Sequence, residues 1–387
     1  MKLSDDQNKA LEKLLAWHRD PRREAFVTLG GYAGTGKTTL ISFFKKEISG
    51  SGRKIKIGFC SYTGRAAQNL KNKLREAGAL CAGDSVSTIH GLIYIPQEDR
   101  AGQIAGWRRR EDLERDLIIV DEASMVDGPV WRDLLSYNIP IVAVGDHGQL
   151  PPVSGEFNLM ERPEIMLTEI HRQAKGNPII KVSQHARKTG RVPVKEYGEG
   201  VVKFLRENSD AQEKSAQLLE AYRPDTLILC GYNSTRTKIN QFVRSALGFE
   251  GAAPGRGDRV ICLRNNGKKN LCNGMLGTIL DLEPAAGDWR GAEIKMDDAE
   301  KPYSGLIYAK QFGAQKASDF AGGRRPAGAG DFFDFGYAQT VHKAQGGQAK
   351  KVIMFEERFA QMDDEAWRRW LYTGVTRAEE ELYLFGD

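Results

Sequence analysis

The chain has 387 residues, of which 41% are apolar and 28% charged, the composition of a folded protein, which excludes a disordered or fibrous one. Its net charge of +5 is compatible with a polyanionic partner but too small to establish one. No run approaches the roughly 18 consecutive apolar residues of a membrane helix, and the opening MKLSDDQNKA has no apolar centre of the kind a secretory signal needs. No membrane association is therefore expected.

AFVTLG (25–30) reads as a strand, followed by a glycine loop and the helix TTLISFFKKEI. IKIGFC (55–60), DLIIVD (116–121) and PIVAVGD (140–146) are further strands separated by amphipathic segments, the pattern of a parallel sheet covered by helices. Between Gly91 and Asp112 a turn-rich middle is flanked by two aromatic-bearing arms, which predicts a small inserted hairpin. A second αβ series starts near 165, with TLILCGY (226–232) as its clearest strand. GDRVICLRNN, NGMLGTILDLEP, AEIKM and SGLIYAKQF then read as short strands with turn signals, a small β-barrel insertion over 252–334 that ends in the Gly/Ala/Pro-rich stretch 321–331, expected to be flexible. A strand–helix series resumes at DFGYAQTVHKAQG. Cys60, Cys230 and Cys262 fall in apolar runs and Cys81 and Cys272 lack metal-ligand spacing, so the thiols suit a reducing compartment, and the cytoplasm is expected.

Gly31-Tyr-Ala-Gly34-Thr35-Gly36-Lys37-Thr38 fits G-x4-G-K-[ST], placed after a strand and opening a helix. Glycines there let backbone N–H groups wrap phosphates, and the helix N-terminus adds partial positive charge. Lys37 reaches the outer phosphates, Thr38 is a Mg²⁺ ligand and Thr39 continues the phosphate-binding turn. LIIVDEAS sets Asp121 and Glu122 at the tip of an apolar strand. Asp121 is placed to hold Mg²⁺ through water and Glu122 to orient and deprotonate the attacking water; the plainer alternative is an acidic pair capping a helix. Gln149, in GDHGQLPPV after the fourth strand, is a candidate γ-phosphate sensor. ATP and Mg²⁺ are the ligands these residues call for.

The blocks GGYAGTGKTT, SYTGRAAQNL, STIHGLIY, IIVDEASMVD, GDHGQLPPV, LTEIHRQA, CGYNSTRTKIN, GYAQTVHKAQG and YTGVTRA follow one another along nearly the whole chain. As an ordered set they resemble the superfamily 1B DNA helicases of the RecD and Dda group. The resemblance implies an α/β fold of two RecA-like P-loop domains with parallel sheets, a small β-hairpin insertion in the first and an SH3-like β-barrel insertion in the second. The expected division is 1-91 and 113-162 for the ATP-binding domain, 92-112 for the pin, 163-251 and 335-387 for the second RecA-like domain and 252-334 for the barrel.

The resemblance also implies site residues. Gln7 matches the family's adenine-reading glutamine, while on the residues alone it is a surface position of an N-terminal helix. Gln345 and Gly346 belong with the nucleotide site. Phosphoryl transfer builds negative charge on the γ-phosphate, and a cation from a second domain stabilises it; Arg377 in YTGVTRA takes that role, with Arg172 in EIHRQA as the second finger. On the residues alone Arg377 reads rather as half of a surface ion pair with Glu379 or Glu380. Thr63, Arg65, Thr88, His90, Asn233, Thr340, His342 and Lys343, expected in loops, are the candidate groove for single-stranded DNA. Tyr94 or Trp107 of the pin would face the duplex end. The implied activity is ATP-driven 5′-to-3′ translocation on single strands and unwinding at single/double-strand junctions, by a monomer.

Two other readings compete. One is a DNA-stimulated translocase or clamp without strand separation. The other is a nuclease, because Asp281, Glu293 and Lys295 loosely spell a metal-dependent cutting site; the same spacing is common on the polar face of a β-hairpin.

Overall fold

A strand buried on both faces of a parallel sheet has no polar face to show, so its sequence is an unbroken apolar run. That rule accounts for β1 (Phe26–Gly31), β2 (Ile57–Ser61), β6 (Leu117–Asp121) and β7 (Ile141–Gly145), whose residues are almost all buried. The computed structural model describes residues 2–50, 54–98, 104–152, 157–170, 176–264, 266, 269, 271–297, 299, 301–315 and 330–387. The chain divides into two units, 1–180 and 181–387.

In the first unit six parallel strands are ordered β3-β2-β6-β7-β1-β8, with β3 at Ser85–Thr88 and β8 at Ile165–Leu167. One core lies between the sheet and helices 5–19, 37–49 and 64–76. A second, around Trp131, Leu134 and Met160, lies under helices 89–93 and 128–135. Each fully buried Leu or Ile in these layers contributes about 1.5–3 kcal/mol. The expected hairpin is present as β4 (Tyr94–Glu98) against β5 (Ile104–Arg109), antiparallel. Leu92 and Ile93, expected inside that insertion, instead close helix 89–93 and are buried in the core.

The expected boundary at 162/163 does not hold. β8 pairs in parallel with β1, and Asp6 accepts hydrogen bonds from the backbone N–H groups of Thr168 and Glu169 at 2.8 and 3.0 Å. Residues 165–169 therefore belong to the first unit.

The second unit repeats the plan. Its sheet runs β17-β11-β18-β19-β10-β9, formed by Ala338–Thr340, Thr226–Cys230, Ala349–Phe355, Ala378–Gly386, Val201–Leu205 and Glu196–Gly198. Every pair is parallel except the edge pair β10–β9. Between β11 and β17 the chain forms a five-stranded antiparallel sheet ordered β15-β14-β13-β12-β16. These strands span Tyr303–Tyr308, Trp289–Met296, Leu276–Pro284, Arg259–Cys262 and Phe333–Phe335. An isolated parallel bridge between Ile307 and Asp331 brings β15 beside the entrance of β16, the other edge of the sheet. The resumed αβ series starts one strand later than its sequence suggests, because Phe333–Phe335 pairs with β12 of the barrel. Positions 321–329 of the Gly/Ala/Pro-rich stretch lie outside the described residues.

Helix Asn233–Ala246 fastens the barrel to its sheet. Arg236, Asn240 and Arg244 recur every four residues, on one face of a helix. Arg236 pairs with Asp334 at 2.7 Å, and Asn240 bonds the backbone of Phe335 and Ala338. Arg244 grips Asp258 through two N–H donors at 2.8 and 2.9 Å, and Tyr337 donates to the same carboxylate at 2.7 Å.

Candidate nucleotide site and nucleic-acid interface

The phosphate loop leaves β1 at Gly31 and enters helix Lys37–Ser49 at Gly36, whose φ of 76° is left-handed and suits glycine. A Cβ on Gly31 would sit 2.6 Å from Thr35 Oγ1, so the turn closes only around glycine. Thr35 is fully buried, and its hydroxyl donates to Tyr32 O at 2.9 Å. Lys37 Nζ donates to the carbonyls of Gly31 and Tyr32 at 2.6 and 3.2 Å. The loop thus holds its own cation beside the helix N-terminus, where Thr38 and Thr39 form the first turn. Tyr32 packs on His147 with ring centroids 4.1 Å apart, a contact that the separate motifs gave no hint of.

Asp121 closes β6, two strands from β1, with β7 between. Burial, and then the neighbouring Glu122, push its carboxyl up to about 6, opposed by the Lys37 charge. Glu122 has φ 54°, a left-handed backbone for a residue with a side chain, and such strain collects at functional positions. Its side chain makes no capping hydrogen bond to the short helix 123–125, against the capping alternative. β7 delivers Asp146 and Gln149 to the same edge; both are buried, and Asp146 Oδ1 accepts from Gly148 N at 2.9 Å. Val153, at the end of that motif, lies outside the described residues.

Gln7 is 2% exposed, which corrects the surface reading. Its Oε1 completes a capping box with Ser4, and its Nε2 donates to Thr35 O at 3.1 Å, so it bridges the N-terminal helix to the phosphate loop.

The glycines that shape the loop, the Lys37 ammonium held beside them and the Asp121 carboxylate at the end of β6 are a donor set that fits a nucleoside triphosphate with Mg²⁺. Thr38 and Asp121 are the residues that would hold the metal, which in such sites shares the phosphate charge.

In the second unit Arg377 Nε donates to Thr373 O at 3.0 Å, Nη1 to Gly347 O at 3.1 Å and Nη2 to Thr376 Oγ1 at 3.2 Å. These bonds tie it to the turn carrying Gln345 and Gly346, the latter with φ 73°. The ion pair with Glu379 or Glu380 does not form; Glu380 faces Lys350 instead, at 3.8 Å. Arg172 lies outside the described residues.

Arg65, His90 and Asn233 lie in the first turns of helices rather than in loops, which corrects the expectation for them. Thr63 caps helix 64–76, whose first turn carries Arg65, and Thr88 caps helix 89–93, which carries His90. Asn233 opens helix 233–246, and its Oδ1 accepts from Arg236 Nε at 3.2 Å. Thr340 ends β17, with His342 and Lys343 in the turn after it. Burial pushes the pKa of His90, His342 and Lys343 down. Tyr94 does not stand free: its hydroxyl donates to Asp133 at 2.5 Å and its ring packs on the core beside His90. The exposed aromatic of the hairpin is Trp107.

The nuclease residues stay on the outside of the barrel. Glu293 and Lys295 alternate with buried Ala292, Ile294 and Met296, and Asp281 pairs across from Glu293. Among the described residues no three His, Cys, Asp or Glu side chains are grouped to hold a metal.

An AAA domain family profile matches residues 2–210, more than half of the chain, and a UvrD-like helicase C-terminal domain matches 335–385. The chain belongs to the AAA-domain family. The ATP-dependent RecD2 DNA helicase of Deinococcus radiodurans is 27% identical over 413 residues, covering 100% of this chain and 49% of the relative. The ATP-dependent DNA helicase Dda of phage T4 is 32% identical over 176 residues, 42% of this chain and 37% of the relative. The chain thus spans about half the length of these relatives or less. A solved structure of Pif1 helicases at forked duplex DNA matches with TM-score 0.57 and 20% identity, over 99% of this chain and 92% of that one. Bacteroides Pif1 with ADP-AlF3 and single-stranded DNA also matches with TM-score 0.57, at 17% identity and the same coverage. At these identities the likeness establishes the fold: α/β units with parallel sheets.

No helix among the described residues is long and apolar enough to cross a membrane.

Proposed function

We propose that this protein is an ATP- and Mg²⁺-dependent DNA helicase that moves 5′-to-3′ on single-stranded DNA and opens duplexes at single/double-strand junctions, acting as a monomer in the cytoplasm. The observation that carries the proposal is the glycine loop that leaves β1 and opens helix Lys37–Ser49 with Lys37 held on its own carbonyls, on a sheet whose strand β6 ends in Asp121 and Glu122. Support for the DNA substrate comes from the names of the relatives, which are DNA helicases.

In this reading the backbone N–H groups of Gly31, Gly34, Thr35, Gly36 and Thr39 cradle the phosphates and Lys37 neutralises them. Thr38 and Asp121 hold the metal, Gln7 meets the base, Gln149 senses the γ-phosphate, and Glu122 orients and deprotonates the attacking water. Arg377, assisted by Arg172, stabilises the transferring charge, with Gln345 and Gly346 beside it. Thr63, Arg65, Thr88, His90, Asn233, Thr340, His342 and Lys343 contact the strand, and of Tyr94 and Trp107 it is Trp107 that takes the separating role. The proposed domains are a first RecA-like domain that includes β8, a pin formed by β4 and β5, a second RecA-like domain and a barrel from β12 to β16.

The test is ATP hydrolysis with and without single-stranded DNA. Stimulation by the strand that is lost in Lys37→Ala supports the proposal; hydrolysis indifferent to DNA contradicts it. Stimulation without any unwinding would leave a translocase or clamp.

A further inference from the structure

Gly231 and Tyr232 join β11 to helix Asn233–Ala246, and their N–H groups donate to Glu357 Oε2 at 2.7 and 2.9 Å. Thr235 Oγ1 donates to Oε1 of the same carboxylate at 2.6 Å. A Cβ on Gly231 would lie 2.8 Å from Glu357 Cβ and 3.1 Å from the Phe359 ring, so glycine is what lets the segment after β18 approach this closely. The contact brings three rings together. Tyr232 meets Phe359 edge-on at 4.6 Å, and Phe359 lies nearly parallel to His342 at 6.4 Å, an interplanar angle of 21°. Tyr232 is 43% exposed although its backbone is fixed.

Beside these rings lies a pocket of about 360 Å³ lined by Asn233, Gln339, Thr340 and Lys343 among others. Among the described residues Lys343 has no carboxylate within ion-pair distance, whereas its neighbour Arg236 is engaged by Asp334. Gln339 is 3% exposed, and its Nε2 donor has no hydrogen-bond partner among the described residues. A buried donor left unsatisfied is costly, and an acceptor entering the pocket removes the cost. Rings and pocket share two backbone steps: Tyr232 and His342 sit on the ring side, and their sequence neighbours Asn233 and Lys343 line the pocket. Consecutive Cα atoms are about 3.8 Å apart. The arrangement therefore offers donors for a phosphodiester next to an aromatic face for the attached base.

We propose that Tyr232, supported by Phe359 and His342, is a stacking platform for bases of a single strand whose phosphate is held by Lys343 and Gln339. The proposal rests on the DNA-motor reading and assigns Tyr232 and Phe359, neither of which the sequence analysis gave a role. Stacking of this kind tolerates any base, so the platform gives grip without sequence preference.

The experiment is fluorescence anisotropy on the full chain with two probes, an oligothymidine and an abasic phosphodiester strand of the same length. Tyr232→Ala should bind the oligothymidine about tenfold more weakly and the abasic strand unchanged, and Tyr232→Phe should retain wild-type binding to both. Lys343→Ala should weaken both probes alike and lower the salt slope by about 1. Tyr232→Ala that leaves both probes unchanged, or weakens both equally, overturns the platform while leaving the motor reading intact. A wild-type chain that binds neither probe overturns both.

Discussion

The two parallel sheets carry the same strand order and use it for opposite ends. If each sheet's core strands are numbered by appearance, both read third-second-fourth-fifth-first, as β3-β2-β6-β7-β1 and β17-β11-β18-β19-β10. The insertions interrupt them at different points: the hairpin precedes β6, and the barrel precedes β17. Two adjacent acids follow or close the matching strand in each: Asp121–Glu122 at β6 and Glu356–Glu357 at β18.

In the second unit both acids are consumed by structure. Glu356 pairs with Lys203 on β10 at 2.5 Å, where the side chains are 8% and 0% exposed. Burial pushes both groups toward their neutral forms, and the mutual attraction opposes it. Glu357 fixes the Gly231–Tyr232 turn. In the first unit neither acid enters an ion pair among the described residues, and the cation near them rests on loop carbonyls. One architecture thus has one end whose carboxylates enter no ion pair among the described residues and one end whose carboxylates are engaged by Lys203 and by the Gly231–Tyr232 turn.

Substitutions can break that contrast, and the largest effects belong to chemistry. Arg377→Ala should retain nucleotide binding and slow hydrolysis by about 10³–10⁵, measured by single-turnover kinetics; loss of binding with an unchanged chemical step would count against the finger. Lys37→Ala should abolish hydrolysis with an unchanged melting curve. Glu122→Gln should cost about 10²–10⁴ in rate and spare stability. The matching changes in the second unit should do the reverse. Lys203→Ala leaves a buried carboxylate unpaired and should lower unfolding free energy by about 3–5 kcal/mol, read by denaturant titration, with per-molecule hydrolysis retained. Glu357→Gln, the smallest effect, should cost about 1–3 kcal/mol. A rate loss in Lys203→Ala comparable to that in Lys37→Ala would erase the distinction between the two ends.

Much of this was legible in the sequence, for reasons that also explain the omissions. β1, β6, β7 and β11 announce themselves because burial on both faces demands uninterrupted apolar runs. The phosphate loop is legible because only glycine fits its turns. β3, the polar SVST, gives no such signal, since three of its four residues are Ser or Thr. β8 was expected in the wrong domain because nothing local records that Ile165–Leu167 pairs with a strand some 140 residues earlier. The settings of Gln7, Tyr94 and Arg377 were invisible for a related reason: Arg377 is held mostly by backbone carbonyls, which every residue possesses, and Asp133, which holds Tyr94, belongs to no motif.

The central claim is that hydrolysis at the first unit drives strand separation. ATP-dependent unwinding of two matched duplexes, one with a 5′ single-stranded tail and one with a 3′ tail, tests it most directly. The account predicts unwinding of the 5′-tailed duplex alone. Unwinding of the 3′-tailed duplex alone would contradict the proposed direction, and failure on both with DNA-stimulated hydrolysis intact would contradict the helicase itself.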